Sequence, residues 1–306
     1  MRRNVIVLLT AAVLCLSLLA GCGSTTASTA SDADTTAAEE TSTSSIADAT
    51  CLADLAGMKI AAQTGTFHAD ALSQIENVQS STYPEFADLL TALKSGAIDG
   101  YVAEEPTAFS VTQSDDSLTF IPLRNNDTGF TATAEDVGIA VGLRKGSELR
   151  EQINEVLSEI TDEQRSELME QIVSLCSGGE VTEFAVSAPA PEETNGVLRV
   201  GMECAYEPYN WTDIDTASFG SVAISGEGKE GLYANGYDVQ IAQYIANRLG
   251  MELEIYSIEW DSLLPALESG TIDAICAGMS PTAERAEQID FTDTYYESNL
   301  VIIIRK

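Results

Sequence analysis

The sequence has little histidine and little positive charge. Its 306 residues contain one histidine, His68, and 15 lysines and arginines against 48 aspartates and glutamates. Transition-metal sites need several His or Cys ligands close together, so we expect no metal, and no motif indicates another cofactor. The formal net charge of −33 repels phosphate backbones, which argues against nucleic acid as a partner.

Cysteine occurs without the spacing that is typical of metal or redox sites. Two of the six cysteines, Cys15 and Cys22, fall near the N-terminus. The other four are widely scattered and form no C-x-x-C pair: Cys51, Cys176, Cys204 and Cys276. We expect small buried or half-buried side chains. A contact between Cys204 and Cys276 remains open, because both end predicted strands.

The N-terminal segment is typical of export. Arg2 and Arg3 precede an apolar run over residues 5–20, shorter than the ~20 residues that a membrane-spanning helix needs. The run ends in Leu19-Ala20-Gly21-Cys22, which resembles the bacterial lipobox. We expect residues 1–21 to be a lipoprotein signal peptide and Cys22 to carry lipid, palmitate included. The alternative is an ordinary secretory signal followed by a chance cysteine.

Residues 22–50 consist mainly of Ser, Thr, Ala, Asp and Glu. Such a segment buries too little apolar surface to offset its ordering entropy, which favours a flexible tether. The signal, the lipid and the tether together predict a protein held on the extracytoplasmic face of the cell membrane.

An internal repeat is the most informative feature of the sequence. Residues 89–99 (LLTALKSGAID) match residues 263–273 (LLPALESGTID) at eight of eleven positions, 174 residues apart. Glu85-Phe86 and Glu259-Trp260 extend the match at the same spacing. Each copy predicts an amphipathic helix, a glycine after its end, and a buried strand.

Strands and helices alternate around both copies of the repeat. Further strands are predicted at 58–62, 137–143 and 198–202, and helices at 67–75, 147–160 and 238–249, with another helix after the capping box of Thr161 and Gln164. This alternation predicts an α/β fold of two lobes, each a mostly parallel sheet flanked by helices.

Two loops follow predicted strands and carry groups suited to a small zwitterion. In residues 278–285, Ser280 is a candidate N-cap, Pro281 fits the first helical position, and Arg285 suits bidentate capture of a carboxylate. The alternative is that Arg285 pairs with a neighbouring glutamate on the surface. In the other loop, Thr66 and Phe67 can donate backbone N–H groups, or they simply cap a turn.

Three more side chains follow strand ends. Glu104 is a candidate acceptor for an ammonium group, although an exposed glutamate there is usually only solvated. Tyr206 and Trp260 are candidates to flank a ligand, although aromatic side chains more often belong to a core.

Together these segments resemble the polar amino acid branch of the type II solute-binding proteins that serve ABC importers. The resemblance covers nearly all of residues 52–306 apart from linkers. The segments that carry it are 63–66, 98–99, 104, 138–141, 199–209, 235–239, 260–261, 269–273 and 278–285.

The resemblance implies a role for each candidate residue and no catalytic residue. Its implied contacts are Arg285, Ser280 and the backbone of Thr66 and Phe67 for the ligand α-carboxylate, Glu104 and the Gly278 backbone for the α-ammonium, and Tyr206, Trp260 and Glu203 for the side chain. Two positions depart from the family pattern. Phe67 replaces a common hydroxyl residue, and Glu104 is one methylene longer than the usual aspartate. Glu203 indicates a polar or cationic ligand side chain.

The pieces occur in an order that differs from the family's, which suggests a circular permutation. The expected order is small lobe (51–136), return hinge strand and closing helices of the large lobe (137–176), linker (177–196) and main part of the large lobe (197–306). One covalent hinge strand is expected, near 137–143. Exchange of lobes between chains, or a truncated product that binds nothing, are alternatives.

The resulting expectation is a monomeric amino-acid-binding subunit that delivers its ligand to ABC permease transmembrane subunits, not an enzyme. A dehydratase on the same fold is one rival, and it would need an acid/base pair for which Glu104 and Glu203 are available. A ligand-sensing domain is the other.

Overall fold

The computed structural model describes residues 45–306. The predicted signal peptide, Cys22 and most of the predicted tether lie outside the described residues. The strands are β1 (Ile60–Gln63), β2 (Ser81–Tyr83), β3 (Gly100–Glu104), β4 (Leu118–Ile121), β5 (Gly138–Leu143), β6 (Val197–Met202), β7 (Trp211–Ile214), β8 (Val222–Ala223), β9 (Leu232–Asn235), β10 (Glu252–Ser257), β11 (Ala274–Ile275), β12 (Asp290–Glu297) and β13 (Leu300–Arg305). The helices are α1 (Phe67–Ala71), α2 (Phe86–Ser95), α3 (Glu105–Ser114), α4 (Ala134–Val137), α5 (Leu149–Leu157), α6 (Asp162–Cys176), α7 (Tyr237–Leu249), α8 (Trp260–Ser269) and α9 (Ala283–Gln288).

The first sheet forms the small lobe and has the strand order β2-β1-β3-β13-β4. β2, β1 and β3 are parallel, and β13 lies antiparallel between β3 and β4. Helices α1, α2 and α3 pack against these strands. β13 is apolar and buried from Leu300 to Ile304, as expected for a central strand covered on both faces.

The second sheet forms the large lobe and has the order β10-β6-β11-β5-β12. β10, β6 and β11 are parallel, whereas β5 lies antiparallel to both β11 and β12. A small sheet, β7-β9-β8, lies beside it and contacts α7 and β10. The predicted two-lobed α/β fold is confirmed, but each sheet is mixed, because one strand in each, β13 in the small lobe and β5 in the large lobe, runs against the others.

The chain crosses between the two sheets twice, from β4 to β5 and from β12 to β13. Two expectations therefore need correction. Residues 300–305 belong to the small lobe and not to the large one, and Ser298–Asn299 form a second covalent connection besides the predicted hinge. The apolar run at 300–304 predicts a buried strand but fits either sheet. The permutation relative to other proteins stays a prediction.

The repeat helices end as predicted. Gly96 after α2 and Gly270 after α8 adopt left-handed conformations, with φ of 79° and 78°. Residues with a side chain are strained there, which explains a glycine at both places. The capping box before α6 also forms, because Thr161 and Gln164 each accept the other's backbone N–H.

Two segments expected to be loose pack against the lobes. Ile46, in the predicted tether, lies in a 3₁₀ turn (Ile46–Asp48) and packs on the small-lobe core. Phe184 and Val186, in the predicted linker, are buried in the large-lobe core. In both places isolated apolar side chains override the polar composition around them. Within residues 45–306, no helix has the length and apolarity needed to cross a membrane.

Candidate functional site

The predicted loops of the two lobes face each other across one small cavity. Its volume is about 20 Å³, and its walls come from both sheets. The lining residues are Gln63, Thr66, Phe67, His68, Phe86, Glu104, Tyr206, Trp260, Ala277, Gly278, Ser280 and Arg285. Eight of the nine predicted ligand-binding residues are therefore brought together, and Glu203 lies just outside this lining.

Arg285 is the only arginine or lysine among these lining residues, and it is 9% exposed. Its Nη1 donates to the Ser280 carbonyl and its Nη2 to the Gly65 carbonyl on the other lobe, both at 2.9 Å. The guanidinium carbon lies 5.1 Å from the Trp260 ring centre. Burial lowers the pKa of Arg285.

No carboxylate forms an ion pair with Arg285 anywhere in residues 45–306. A buried guanidinium satisfied only by carbonyls has a large unused capacity for an anion, since it offers five N–H donors in a planar fork. The surface pairing considered as the alternative does not occur. The residue is therefore suited to receive a carboxylate within the cavity.

The helix that carries Arg285 begins later than predicted. The N-cap of α9 is Thr282, whose hydroxyl accepts the Arg285 backbone N–H, so Ser280 and Pro281 stay in the preceding loop. Threonine is also a favourable N-cap residue, and Thr282 takes the role that was predicted for Ser280. As a result, Ser280 contributes its carbonyl to Arg285 and lines the cavity instead of capping the helix.

Glu104 is buried and forms a close pair with the one histidine of the sequence. His68 Nε2 lies 3.0 Å from Glu104 Oε1. Glu104 Oε2 and His68 Nδ1 are buried and have no hydrogen-bond partner among the described residues. One carboxylate oxygen of Glu104 is therefore available to a donor in the cavity, as an ammonium acceptor requires.

Aromatic side chains from both lobes form one wall of the cavity. Tyr206 stacks on Phe86, with ring centres 4.0 Å apart and planes 8° from parallel. Tyr206 is 3% exposed, whereas Trp260 is only partly buried. The Phe86–Tyr206 stack crosses the cleft and ties the lobes together in this conformation.

Glu203 is bonded to Gln63, which lines the cavity, although Glu203 is not itself among the lining residues. Gln63 Nε2 donates to Glu203 Oε1 at 2.8 Å. Burial raises the pKa of Glu203 to about 7, and the bond from Gln63 opposes that shift. Its second oxygen, Oε2, is buried without a partner in the described part of the chain.

Gly278 and Thr66 contribute mainly backbone. Gly278 has φ of +60°, and a Cβ there would lie 3.2 Å from the Tyr206 ring, so the position requires glycine. Thr66 caps the short helix α1 by accepting the Ala69 N–H and donates its own hydroxyl to the Gln63 carbonyl. Both residues thus fix loop shape at the cavity wall.

The large lobe also contains a buried carboxylate, that of Asp238. Asp238 accepts hydrogen bonds from the Tyr295 hydroxyl at 2.6 Å and the Asn210 amide at 2.8 Å. Burial raises its pKa to about 7. Asp238 therefore joins α7 to β12 and to the loop after β6 within the large lobe.

Residues 224–306 match the family described as "Bacterial extracellular solute-binding proteins, family 3". Similarity also extends to the arginine-binding extracellular protein ArtP of Bacillus subtilis, with 30% identity over 44% of this chain and 46% of that protein. The chain belongs to this family. It spans less than half the length of these curated relatives, which also include the L-cystine-binding protein TcyA of Bacillus subtilis, 32% identical over 36% of this chain and 35% of TcyA.

Solved structures of related proteins align with only part of this solute-binding protein. The arginine-bound form of domain 1 from TmArgBP is 30% identical, with 36% of this chain and 80% of that domain covered and a TM-score of 0.26. Because this TM-score is low, the fold is assigned from the strand order described above and not from the alignment.

Four lining residues of this family member were not predicted to bind ligand: Gln63, His68, Phe86 and Ala277. Phe86 had a signal, because it matches Trp260 in the repeat and both begin a helix at the cleft. His68 and Gln63 had none, because their roles depend on Glu104 and Glu203, which are distant in sequence. The four described cysteines are free, and Cys276 contacts Asp238 and Tyr295.

A wider groove lies away from these residues. It has a volume of about 560 Å³ and lies between α3 and α6, with Phe109, Met169 and Val173 among its lining residues. Neither Arg285 nor Glu104 lines it. Within residues 45–306, no group of three or more His, Cys, Asp and Glu side chains is arranged to hold a metal ion.

Proposed function

We propose that this protein binds one amino acid between its lobes and delivers it to the membrane subunits of an ABC importer. The observation that carries the proposal is the pairing, in one small cavity, of a buried guanidinium without a carboxylate partner and a buried carboxylate with a free oxygen. These are Arg285 and Glu104. An α-amino acid presents the complementary charges on adjacent atoms.

In this proposal the main-chain part of the ligand lies between the two loops. Arg285 and Ser280, with the backbone of Thr66 and Phe67, receive the α-carboxylate. Glu104, with the Gly278 carbonyl, receives the α-ammonium. Since α1 and α9 are short, the guanidinium supplies most of the attraction for the carboxylate and the helix dipoles contribute less.

Ligand capture requires the lobes to move. A cavity of about 20 Å³ is smaller than any amino acid, and contacts such as Arg285–Gly65 and Phe86–Tyr206 cross the cleft. The two crossings, at residues 122–137 and at Ser298–Asn299, are suited to a hinge about which the lobes open. The ligand would stabilise the closed form through its contacts with both lobes.

The ligand side chain would be polar or cationic. It extends between Tyr206 and Trp260 toward Glu203, where buried negative charge favours a donor. Relatives named as binding arginine, cystine and histidine fit this range of chemistry.

The cellular setting is part of the same proposal. Cys22 would carry the lipid that anchors the protein, palmitate included, on the extracytoplasmic face of the cell membrane. The protein would act as a monomer whose lobe order is permuted relative to its relatives.

Thermal unfolding in the presence of each of the twenty amino acids tests the proposal. A ligand that binds only the folded protein raises the melting temperature in proportion to the logarithm of its concentration above Kd. We expect a concentration-dependent rise confined to one chemical group of amino acids. No rise with any of them at millimolar concentration would overturn the proposed function.

A further inference from the structure

Gln63 and Glu203 occupy equivalent places in the two lobes and meet across the cleft. Gln63 ends β1 in the small lobe, and Glu203 directly follows β6 in the large lobe. Their side chains are joined by a hydrogen bond of 2.8 Å. Since the two residues belong to different lobes, this bond forms only when the lobes are closed.

The amide group of Gln63 is fully committed as a donor. Its Nε2 donates to Glu203 Oε1 and, at 3.0 Å, to the Pro84 carbonyl within its own lobe. A carboxamide has two N–H donors, so both are used. Gln63 is 1% exposed, and loss of either partner would leave a buried donor unsatisfied.

Glu203 therefore has one oxygen left for a ligand. Oε1 accepts from Gln63, and Oε2 is buried without a partner in the part of the chain that the structure describes. The negative charges of Glu85 and Asp261 act on the same carboxyl group, and no ion pair with Glu203 occurs within residues 45–306. The surroundings favour a cation that can be satisfied by a single carboxylate oxygen.

We propose that Gln63 is a specificity-determining residue that favours amino acids ending in an ammonium group, such as lysine and ornithine, over arginine. This inference rests on the proposed function and narrows it to one class of side chain. An ammonium is a compact charge that can use one oxygen, whereas a guanidinium binds a carboxylate best through both oxygens. A guanidinium that took both would displace the Gln63 amide, leave one buried N–H group of Gln63 without a partner, and remove a bond that closes the lobes.

Compared with lysine or ornithine, arginine should lose the equivalent of one charge-assisted hydrogen bond. This loss corresponds to a roughly tenfold to hundredfold difference in Kd. Titration calorimetry of the full-length protein with L-lysine, L-ornithine and L-arginine measures it directly. We expect the wild type to bind lysine or ornithine at least about tenfold more tightly than arginine.

Replacing the amide by an apolar group of similar volume tests the cause. In Gln63→Met, Glu203 regains its second oxygen, so the arginine-to-lysine ratio of Kd values should fall by about tenfold. Gln79→Met is the matched control, because Gln79 is exposed and donates to the Gly57 carbonyl away from the cavity. Its ratio should equal that of the wild type. Glu203→Gln should weaken binding of all three ligands.

The outcomes separate this inference from the proposed function. If the wild type binds arginine as tightly as lysine, or binds only neutral or acidic amino acids, the role of Gln63 is wrong while amino acid binding stands. If Gln63→Met melts like the wild type but keeps its ratio of Kd values, the role is also wrong. If no amino acid binds at all, the proposed function itself fails, and this inference with it.

Discussion

Arg144 and Arg305 make the same contacts in the two lobes. Each donates Nη1 to two backbone carbonyls and approaches one aspartate: Leu267, Ile272 and Asp273 for Arg144, and Leu93, Ile98 and Asp99 for Arg305. These acceptors are equivalent in the repeat, 174 residues apart. The arginines themselves lie outside the repeated segments, directly after β5 and at the end of β13.

In sequence the repeat covers a helix and a strand. This equivalence adds a third element to it, an antiparallel strand. β5 pairs with β11 as β13 pairs with β3, antiparallel in both lobes. In each lobe the arginine satisfies a carbonyl in the last turn of the repeat helix and another in the loop after it. The two strands that follow the lobe crossings are thus fastened to their sheets in the same way.

Removal of either arginine should destabilise the protein to a similar degree. Arg144→Ala and Arg305→Ala each leave two backbone carbonyls without their charged donor, at a cost of about 1–2 kcal/mol, moderated by partial exposure. Urea unfolding measures the change. Arg248→Ala is the control, because its pair with Glu159 is exposed and should contribute less than about 0.5 kcal/mol. A loss in one lobe only would contradict the equivalence.

Gly278 should resist substitution for two separable reasons. In Gly278→Ala, the methyl group adds strain at positive φ, about 1–2 kcal/mol, and meets Tyr206 at 3.2 Å. Gly228→Ala is a matched control, because φ there is +75° and nothing lies within 4 Å of the added Cβ. Both variants should lose stability in urea unfolding, but only Gly278→Ala should also weaken amino acid binding. Equal ligand affinity in the two variants would argue against a role for this loop.

The sequence predicted most of the elements, because local signals agreed with one another. The glycines at 96 and 270 follow amphipathic helices and precede apolar strands, so propensity, periodicity and capping indicated the same boundaries. Thr161 and Gln164 gave a similarly local signal. Such features can be predicted because they depend only on residues that are neighbours in the sequence.

Features that depend on distant residues were missed or misplaced. The run at 300–304 is apolar enough for the centre of either sheet, and only its pairing with β3 and β4 assigns it to the small lobe. The contact of His68 with Glu104 depends on how α1 packs beside β3. For the site, the sequence could predict charged and aromatic groups at strand ends, but not that Gln63 would donate a hydrogen bond to Glu203 across the cleft.

Arg285 should dominate binding of the ligand carboxylate. Arg285→Ala removes the only arginine or lysine in the cavity lining and should cost about 2–5 kcal/mol of binding, roughly thirtyfold to several-thousandfold in Kd. Arg285→Lys should recover little, because an ammonium cannot reproduce the planar fork. Calorimetric titration with the best amino acid measures both.

A matched control separates this effect from a general change in packing. Arg150 also donates to a backbone carbonyl, that of Phe291, but lies away from the cavity. Arg150→Ala should therefore leave the Kd unchanged. Arg285→Ala that binds as tightly as the wild type would remove Arg285 from the site.

The unliganded protein should become less stable as the pH rises from about 5 to 7. Burial raises the pKa of Glu203 from 4.5 and that of Asp238 from 3.8, in both cases to about 7. Between these values the folded protein holds protons that the unfolded chain has released, so the free energy of unfolding falls with increasing pH and levels off above the folded pKa. Carboxyl groups with lowered pKa, such as Asp273 and Asp290, act in the opposite sense but at lower pH.

Urea unfolding at several pH values measures this slope, and Glu203→Gln tests its origin. The amide cannot titrate, so the slope of the unfolding free energy between pH 5 and 7 should become less steep by the contribution of one carboxyl group. The contribution of Asp238 should remain. Glu252→Gln is the control, because Glu252 is exposed at the start of β10 and should leave the slope unchanged. A stability that rises with pH over this interval, or a slope that Glu203→Gln does not alter, would mean that Glu203 is ionised in the closed protein already at pH 5.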